Sequence, residues 1–163
     1  MFEYDIAEYS LINPDLYRRE LRKLQAEFLK LQKWVINEKK RLAIVFEGRD
    51  TAGKTGSISV LSKYLIPEHV RLVKLGIPSE HESKRWFSSY EKHMPNTGEI
   101  VFFDRSWYTR ALTEITMKYC TERQYKYFMK NVLNWEDQLI KEKIDIVKIC
   151  LLYTSDAADD VVG

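Results

Sequence analysis

The spacing of apolar residues changes once along this chain, close to residue 40. Between Asp15 and Lys39 the apolar residues recur every three or four positions, which predicts a long amphipathic helix. They are Tyr17, Leu21, Leu24, Phe28, Leu31 and Val35. Two interpretations of this stripe stay open. The helix either packs on the edge of a sheet or pairs with another subunit.

Beyond residue 40, short apolar runs alternate with longer amphipathic segments. The short runs predict strands over 41–47, 70–75, 99–103 and 144–149. The longer segments predict helices over 54–65, 79–93, 106–118 and 121–142. Because the strands are almost continuously apolar, we expect a parallel sheet with helices on both faces. The predicted fold is a three-layer α/β domain preceded by a long N-terminal helix.

A phosphate-binding motif lies between the first predicted strand and the next helix. Residues 48–55 fit the pattern G-x-x-x-x-G-K-[ST], which is typical of P-loop nucleotide-binding proteins. The candidate phosphate-binding residues are Gly48, Arg49, Thr51, Ala52, Gly53, Lys54 and Thr55. Glycines let the backbone wrap a phosphate, and the N–H groups at a helix N-terminus point towards it. Lys54 would bridge the distal phosphates, and the Thr55 hydroxyl would reach Mg²⁺. The alternative is a chance glycine-rich turn, against which the flanking strand and helix argue.

A second candidate site follows the strand predicted over 99–103. Asp104 lies at the tip of this strand, where P-loop enzymes place a carboxylate that orients Mg²⁺. Arg105 comes next and could neutralise a phosphoryl group during its transfer. The alternative is a helix-capping aspartate followed by a surface arginine. The nearby P-loop favours the functional interpretation.

Asp50 is unusual because it lies inside a loop that favours anions. Three roles stay open for its carboxylate. It could cap the loop from outside, help to hold Mg²⁺, or orient or deprotonate an acceptor phosphate.

Composition limits the remaining possibilities. The 163 residues suffice for one domain with a core, and a net charge of +2 does not suggest a nucleic-acid-coating protein. Cys120 and Cys150 lack the spacing of a zinc site. No apolar run is long enough for a membrane span, and the N-terminus lacks the features of a signal peptide. We therefore expect a cytoplasmic protein with no membrane and no nucleic-acid partner.

Three segments together resemble the polyphosphate kinase 2 family: 47–54, 76–79 and 98–108. The resemblance implies a P-loop kinase fold and transfer of a phosphoryl group between inorganic polyphosphate and a nucleoside diphosphate, ADP or GDP. It also implies Mg²⁺ as the cofactor, with polyphosphate and a nucleotide as partners. We expect a homo-oligomer when the protein is intact, paired through the stripe of the N-terminal helix.

By this resemblance, the catalytic residues are Asp50, Lys54, Asp104 and Arg105. Asp50 and Asp104 would be the essential acidic residues that organise Mg²⁺ and the acceptor, together with Thr55 as a metal ligand. Two alternatives remain. One is an ATP-dependent nucleoside or nucleotide kinase of the same fold, and the other is an inactive phosphate-binding fragment.

The fragment interpretation depends on the end of the chain. The family continues beyond the strand at 144–149 into an arginine-bearing lid. Residues 150–163 resemble instead the conceptual translation of a sequencing adapter. We therefore predict an N-terminal helical segment over 1–40, an incomplete kinase core over 41–149 that lacks the lid, and a non-native tail over 150–163.

Overall fold

The computed structural model describes residues 13–49 and 51–151. The strands are β1 (Arg41–Gly48), β2 (Val70–Val73), β3 (Glu99–Asp104) and β4 (Ile144–Leu151). The α-helices are α1 (Pro14–Asn37), α2 (Lys54–Ser62), α3 (Glu80–Lys84), α4 (Trp86–Glu91) and α5 (Glu122–Lys141). A 3₁₀ turn (Pro67–His69) precedes β2, and a π-helical turn (Arg110–Glu114) follows β3.

The four strands form one parallel sheet in the order β2-β3-β1-β4. This confirms the predicted sheet, with strand boundaries that differ by at most two residues. In the register of β1 with β3, Phe46 lies opposite Asp104. The two strands therefore end side by side, and the loops that follow them leave the same edge of the sheet.

Helices cover both faces of this sheet, as predicted. Residues of β1 alternate between the two faces, because successive side chains of a strand point in opposite directions. Ala43 and Val45 lie in a core with aromatic side chains from α4 and α5. Leu42, Ile44 and Phe46 lie in a second core with residues of α1 and α2. The fold is therefore three-layered, with α1 and α2 on one face and α4 and α5 on the other.

The predicted stripe of α1 is only partly correct. Val35 is fully buried with residues of β1 and β3, so the C-terminal half of the helix packs on a face of the sheet and not on its edge. Tyr17 and Leu24, however, are about half exposed. The buried face also contains Gln25 and Gln32, whose amides bond to backbone groups of α2 and of the segment after it. Polar side chains thus contribute part of the contact between α1 and the rest of the domain.

Two predicted helices have a different form. The segment 79–93 is divided into α3 and α4 at Arg85, whose backbone leaves the helical region at φ −116° and ψ 50°. The segment 106–118 begins with turns and continues as the π-helical turn. Of the predicted tail, Cys150 and Leu151 are described as the end of β4, and residues 152–163 lie outside the described part. That the tail is non-native stays a prediction.

Within residues 13–49 and 51–151, no helix combines the length and the apolar character needed to cross a bilayer.

Candidate active site

The phosphate-binding motif forms a loop between β1 and α2. Gly48 at its start has φ 137°, and Gly53 at the N-cap of α2 has φ 83°. Both values lie in a region that side chains with a Cβ rarely adopt. Thr51 also has a positive φ, of 67°. The motif glycines therefore lie at positions where the loop before α2 requires a positive φ. This loop surrounds the N-terminus of α2, and the N-terminal end of a helix favours anions.

The ammonium group of Lys54 lies inside this loop. It donates hydrogen bonds to the carbonyl oxygens of Gly48 at 2.9 Å and Arg49 at 2.7 Å. The side chain is buried, with 7% of the residue exposed. The lysine ammonium is thus held inside the loop by backbone carbonyl groups, and its contact with a phosphate stays a prediction of the motif.

The Thr55 hydroxyl and the Asp104 carboxylate meet directly. Thr55 Oγ1 donates to Asp104 Oδ2 at 2.5 Å, and Asp104 is only 3% exposed. Lys74, which follows β2, places its Nζ 3.5 Å from the same carboxylate oxygen. Thr55 and Asp104, the two predicted metal ligands among the described residues, are therefore in contact, and Lys74 lies beside them.

A cleft of about 460 Å³ opens over this group at the carboxyl edge of the sheet. Its walls include Thr51, Gly53, Lys54, Thr55, Lys74, Asp104, Arg105 and Glu114. The segment 75–78 closes one side. Ligands of open α/β sheets bind at this edge. A lining that combines lysine and arginine side chains, loop residues and a carboxylate suits a phosphate-rich ligand with a bound cation.

Asp50 is the one predicted site residue that lies outside the described residues, so its side chain is not placed here. Lys84 and Arg85, basic residues close in sequence to this edge, do not line the cleft. Lys84 pairs instead with Glu80 on the surface of α3.

The pattern of the sequence did not indicate a buried ion pair at the wall of the cleft. Arg110 and Glu114 approach to 3.0 Å, and both side chains are at most 2% exposed. The Arg110 guanidinium also stacks over Trp86 at 3.9 Å and donates to Ser83. Burial raises the pKa of Glu114, while Arg110 opposes that rise. In a sequence, an Arg-x-x-x-Glu spacing on a helix usually indicates an ion pair on the surface. This spacing would therefore predict an exposed pair, whereas the structure buries it.

Glu47 is a second residue that the sequence did not single out. It is the last residue of β1 but one, directly before Gly48, and its Oε1 accepts hydrogen bonds from the backbone N–H and the hydroxyl of Ser106. Burial raises the pKa of the Glu47 carboxyl, and the bonds from Ser106 act in the opposite direction. Glu47 therefore links the strand that precedes the P-loop to the segment that follows Asp104 and Arg105.

The donor set fits a magnesium ion that is held largely by its substrate. Among the described residues, no three carboxylate, histidine or cysteine side chains cluster as a metal cage. The Thr55 hydroxyl and the Asp104 carboxylate are hard oxygen donors. Mg²⁺ commonly uses one or two such groups and takes its other ligands from phosphates and water.

A parallel sheet with this loop after its first strand defines the class of P-loop phosphate-binding proteins. Residues 12–159 match the family model for polyphosphate kinase 2 (PPK2), and the chain belongs to this family.

Two relatives and one solved structure illustrate the similarity. The chain is 42% identical to a GDP-polyphosphate phosphotransferase of Mycobacterium tuberculosis, over 82% of this chain and 45% of the relative. It is 43% identical to an ADP-polyphosphate phosphotransferase of Pseudomonas aeruginosa, over 81% of this chain and 44% of the relative. A crystal structure of polyphosphate kinase 2 from Arthrobacter aurescens TC1 superposes with a TM-score of 0.76 at 25% identity, covering 90% of this chain and 54% of that one. The chain thus spans less than half the length of the two curated relatives.

Proposed function

We propose that the protein carrying this chain transfers a phosphoryl group between inorganic polyphosphate and a nucleoside diphosphate, ADP or GDP. One observation supports this most directly. Lys54 in the P-loop lines the same cleft as Asp104, the last residue of β3, and Arg105, which follows it. The family and the activities named for the two relatives supply the identity of the substrates.

The chain has little covalent chemistry to perform in such a reaction. Phosphoryl transfer requires two phosphate chains to be aligned and their charge to be screened. The loop amides and Lys54 would hold one chain, and Arg105 would face the transferred group. Asp104 and Thr55 would hold Mg²⁺, which supplies positive charge between the phosphates when bound. We assign Asp50 the same acidic role as Asp104, with the acceptor or the metal as its target.

We further propose that this protein acts in the cytoplasm as a homo-oligomer. The half-exposed Tyr17 and Leu24 on α1 support association, because they extend the apolar stripe beyond the part that packs on the sheet.

The test is to incubate the protein with polyphosphate and either ADP or GDP and to measure nucleoside triphosphate by chromatography. It is run on this chain and on a version extended to the length of the relatives, which also tests whether the chain alone is an inactive phosphate-binding fragment. Formation of ATP or GTP that depends on polyphosphate is expected from the extended version. Activity only with ATP and a nucleoside or nucleoside monophosphate would favour the alternative kinase.

Matched lysine variants connect this activity to the cleft. Lys54→Met is expected to abolish turnover, because it removes the buried ammonium of the loop. Lys33→Met, at an exposed position of α1, is expected to retain it. Equal activity of the two variants would place the reaction elsewhere.

A further inference from the structure

Arg105 has an unusual backbone conformation for its residue type. Its φ is 69°, in the left-handed region that favours glycine, while its side chain lines the cleft. Such a conformation costs free energy and persists only where surrounding contacts enforce it. The question is which contacts hold it.

Hydrogen bonds from two sides fix the backbone at Arg105 and Ser106. The Arg105 amide donates to the carbonyl oxygen of Phe46 at 3.0 Å. The Ser106 amide and hydroxyl donate to Glu47 Oε1 at 2.7 and 2.5 Å. On the other side, the Tyr90 hydroxyl donates to the Ser106 carbonyl oxygen at 2.9 Å.

Ser106 is fully buried, and Tyr90 is nearly so. A break in this network would leave buried polar groups without partners, which is unfavourable. Two of these bonds are accepted by Glu47, whose side chain thus connects β1 to Ser106. It also adjoins the first glycine of the P-loop in sequence.

We propose that Glu47 is a positioning residue. Through Ser106 it holds Arg105 in its left-handed conformation and so aims the guanidinium at a phosphate bound in the P-loop. The consequence for phosphate binding rests on the proposed function, whereas the effect on the backbone does not.

Both donors bond to one oxygen of Glu47, so the geometry requires an acceptor at the end of a side chain of this length. Burial raises the pKa of the Glu47 carboxyl, while the bonds from Ser106 and the charges of Lys54 and Arg105 act in the opposite direction. The role of its charge therefore has to be tested separately from the role of its length. Glutamine has the same length and keeps one acceptor oxygen. Aspartate keeps the charge but is one methylene shorter. Glu47→Gln therefore tests the loss of charge at constant side-chain length, and Glu47→Asp tests the loss of length at constant charge.

The first experiment measures hydrogen exchange at the Arg105 and Ser106 amides of this chain by NMR. Glu47→Gln is expected to keep their protection. Glu47→Asp is expected to raise the Ser106 exchange rate about tenfold, because its hydrogen bond is lost. Unchanged exchange in Glu47→Asp, or faster exchange in both variants, would overturn the proposal. This result does not depend on whether the protein transfers phosphate.

The second experiment measures tripolyphosphate affinity by calorimetry, with Arg105→Ala completing a double-mutant cycle. Glu47→Asp is expected to weaken binding about tenfold, and Glu47→Gln less than threefold. In the Arg105→Ala background, Glu47→Asp should have no further effect, because both act through the same guanidinium. Additive effects, or a lower melting temperature with unchanged affinity, would show a merely structural role. If the unsubstituted chain binds no tripolyphosphate, the same cycle is measured on the extended version. Absence of binding there contradicts the proposed function, and the exchange data alone then decide the positioning role.

Discussion

Replacement of Arg110 by methionine is predicted to leave a buried carboxylate without its partner. In the folded protein the guanidinium lies 3.0 Å from Glu114, stacks on Trp86 and donates two hydrogen bonds to Ser83. Breaking a buried ion pair by removing one partner typically costs about 3–5 kcal/mol. Arg110→Met should therefore lower the free energy of unfolding by that amount at pH 7.5.

Glu114→Gln is predicted to cost less, about 1–2 kcal/mol, since the arginine keeps its bonds to Ser83 and its stacking on Trp86. The asymmetry follows from the geometry. Arg110 has three kinds of contact, whereas Glu114 Oε2 has no hydrogen-bond partner among the described residues and only the ion pair.

The cost of Arg110→Met should also depend on pH. Burial already raises the pKa of Glu114 above its usual value, and loss of the arginine removes the opposing effect. A group whose pKa is higher in the folded than in the unfolded state stabilises the fold at low pH, and this contribution is lost as pH rises through the folded-state value. The cost should therefore shrink between pH 7.5 and 5.5, by at most roughly 1.4 kcal/mol per pH unit.

Urea unfolding, followed by tryptophan fluorescence at both pH values, measures these differences. The double variant Arg110→Met/Glu114→Gln is the control, because it lacks the titrating carboxylate. The difference in stability between Arg110→Met and this double variant isolates the contribution of Glu114. If that difference does not change with pH, or if Glu114→Gln costs more than Arg110→Met, the assignment of a buried, charge-coupled pair is wrong.

Three further predictions concern single residues. In the extended protein, Asp104→Asn should lower kcat by roughly 10²–10³ with little change in melting temperature; near-native turnover would contradict the proposed role of this carboxylate. Gly48→Ala should lower the free energy of unfolding in urea by roughly 3 kcal/mol or more, because φ is positive and the new Cβ would overlap a carbonyl oxygen of β4. At Gly76 a new Cβ would have no atom within 4 Å, so Gly76→Ala should lower it by under about 0.5 kcal/mol. Glu136→Gln should cost about 1 kcal/mol, since its partner Lys148 is partly exposed; a neutral result would show that their 2.6 Å contact contributes nothing.

Much of the fold could be predicted because its signals are local. The apolar runs that became β1 to β4 lie in single short segments, and the strand–helix alternation determines a parallel sheet. The P-loop was equally readable, because the required backbone conformations of Gly48 and Gly53 appear as glycines at fixed spacing. Thr55 and Asp104 could be paired once both were placed at the carboxyl edge of the sheet.

The residues that sequence reasoning missed depend on contacts between distant segments. Gln25 and Gln32 lie outside the predicted apolar stripe of α1, yet their amides bond to backbone groups more than 30 residues away. Glu47 was taken as the end of a strand, and its role depends on Ser106, which lies 59 residues later. Arg110 and Glu114 have the spacing of a surface pair. Only the packing of the π-helical turn against Trp86 buries the arginine.

The measurement that tests the central claim most directly is ³¹P NMR of the extended protein with Mg²⁺, polyphosphate and ADP. If the cleft transfers phosphoryl groups between the two, each new γ-phosphate of ATP should match one phosphate lost from the polyphosphate chain. AMP should not accumulate, and Lys54→Met should show no transfer. Release of orthophosphate without ATP, or ATP accompanied by an equal amount of AMP, would contradict the account.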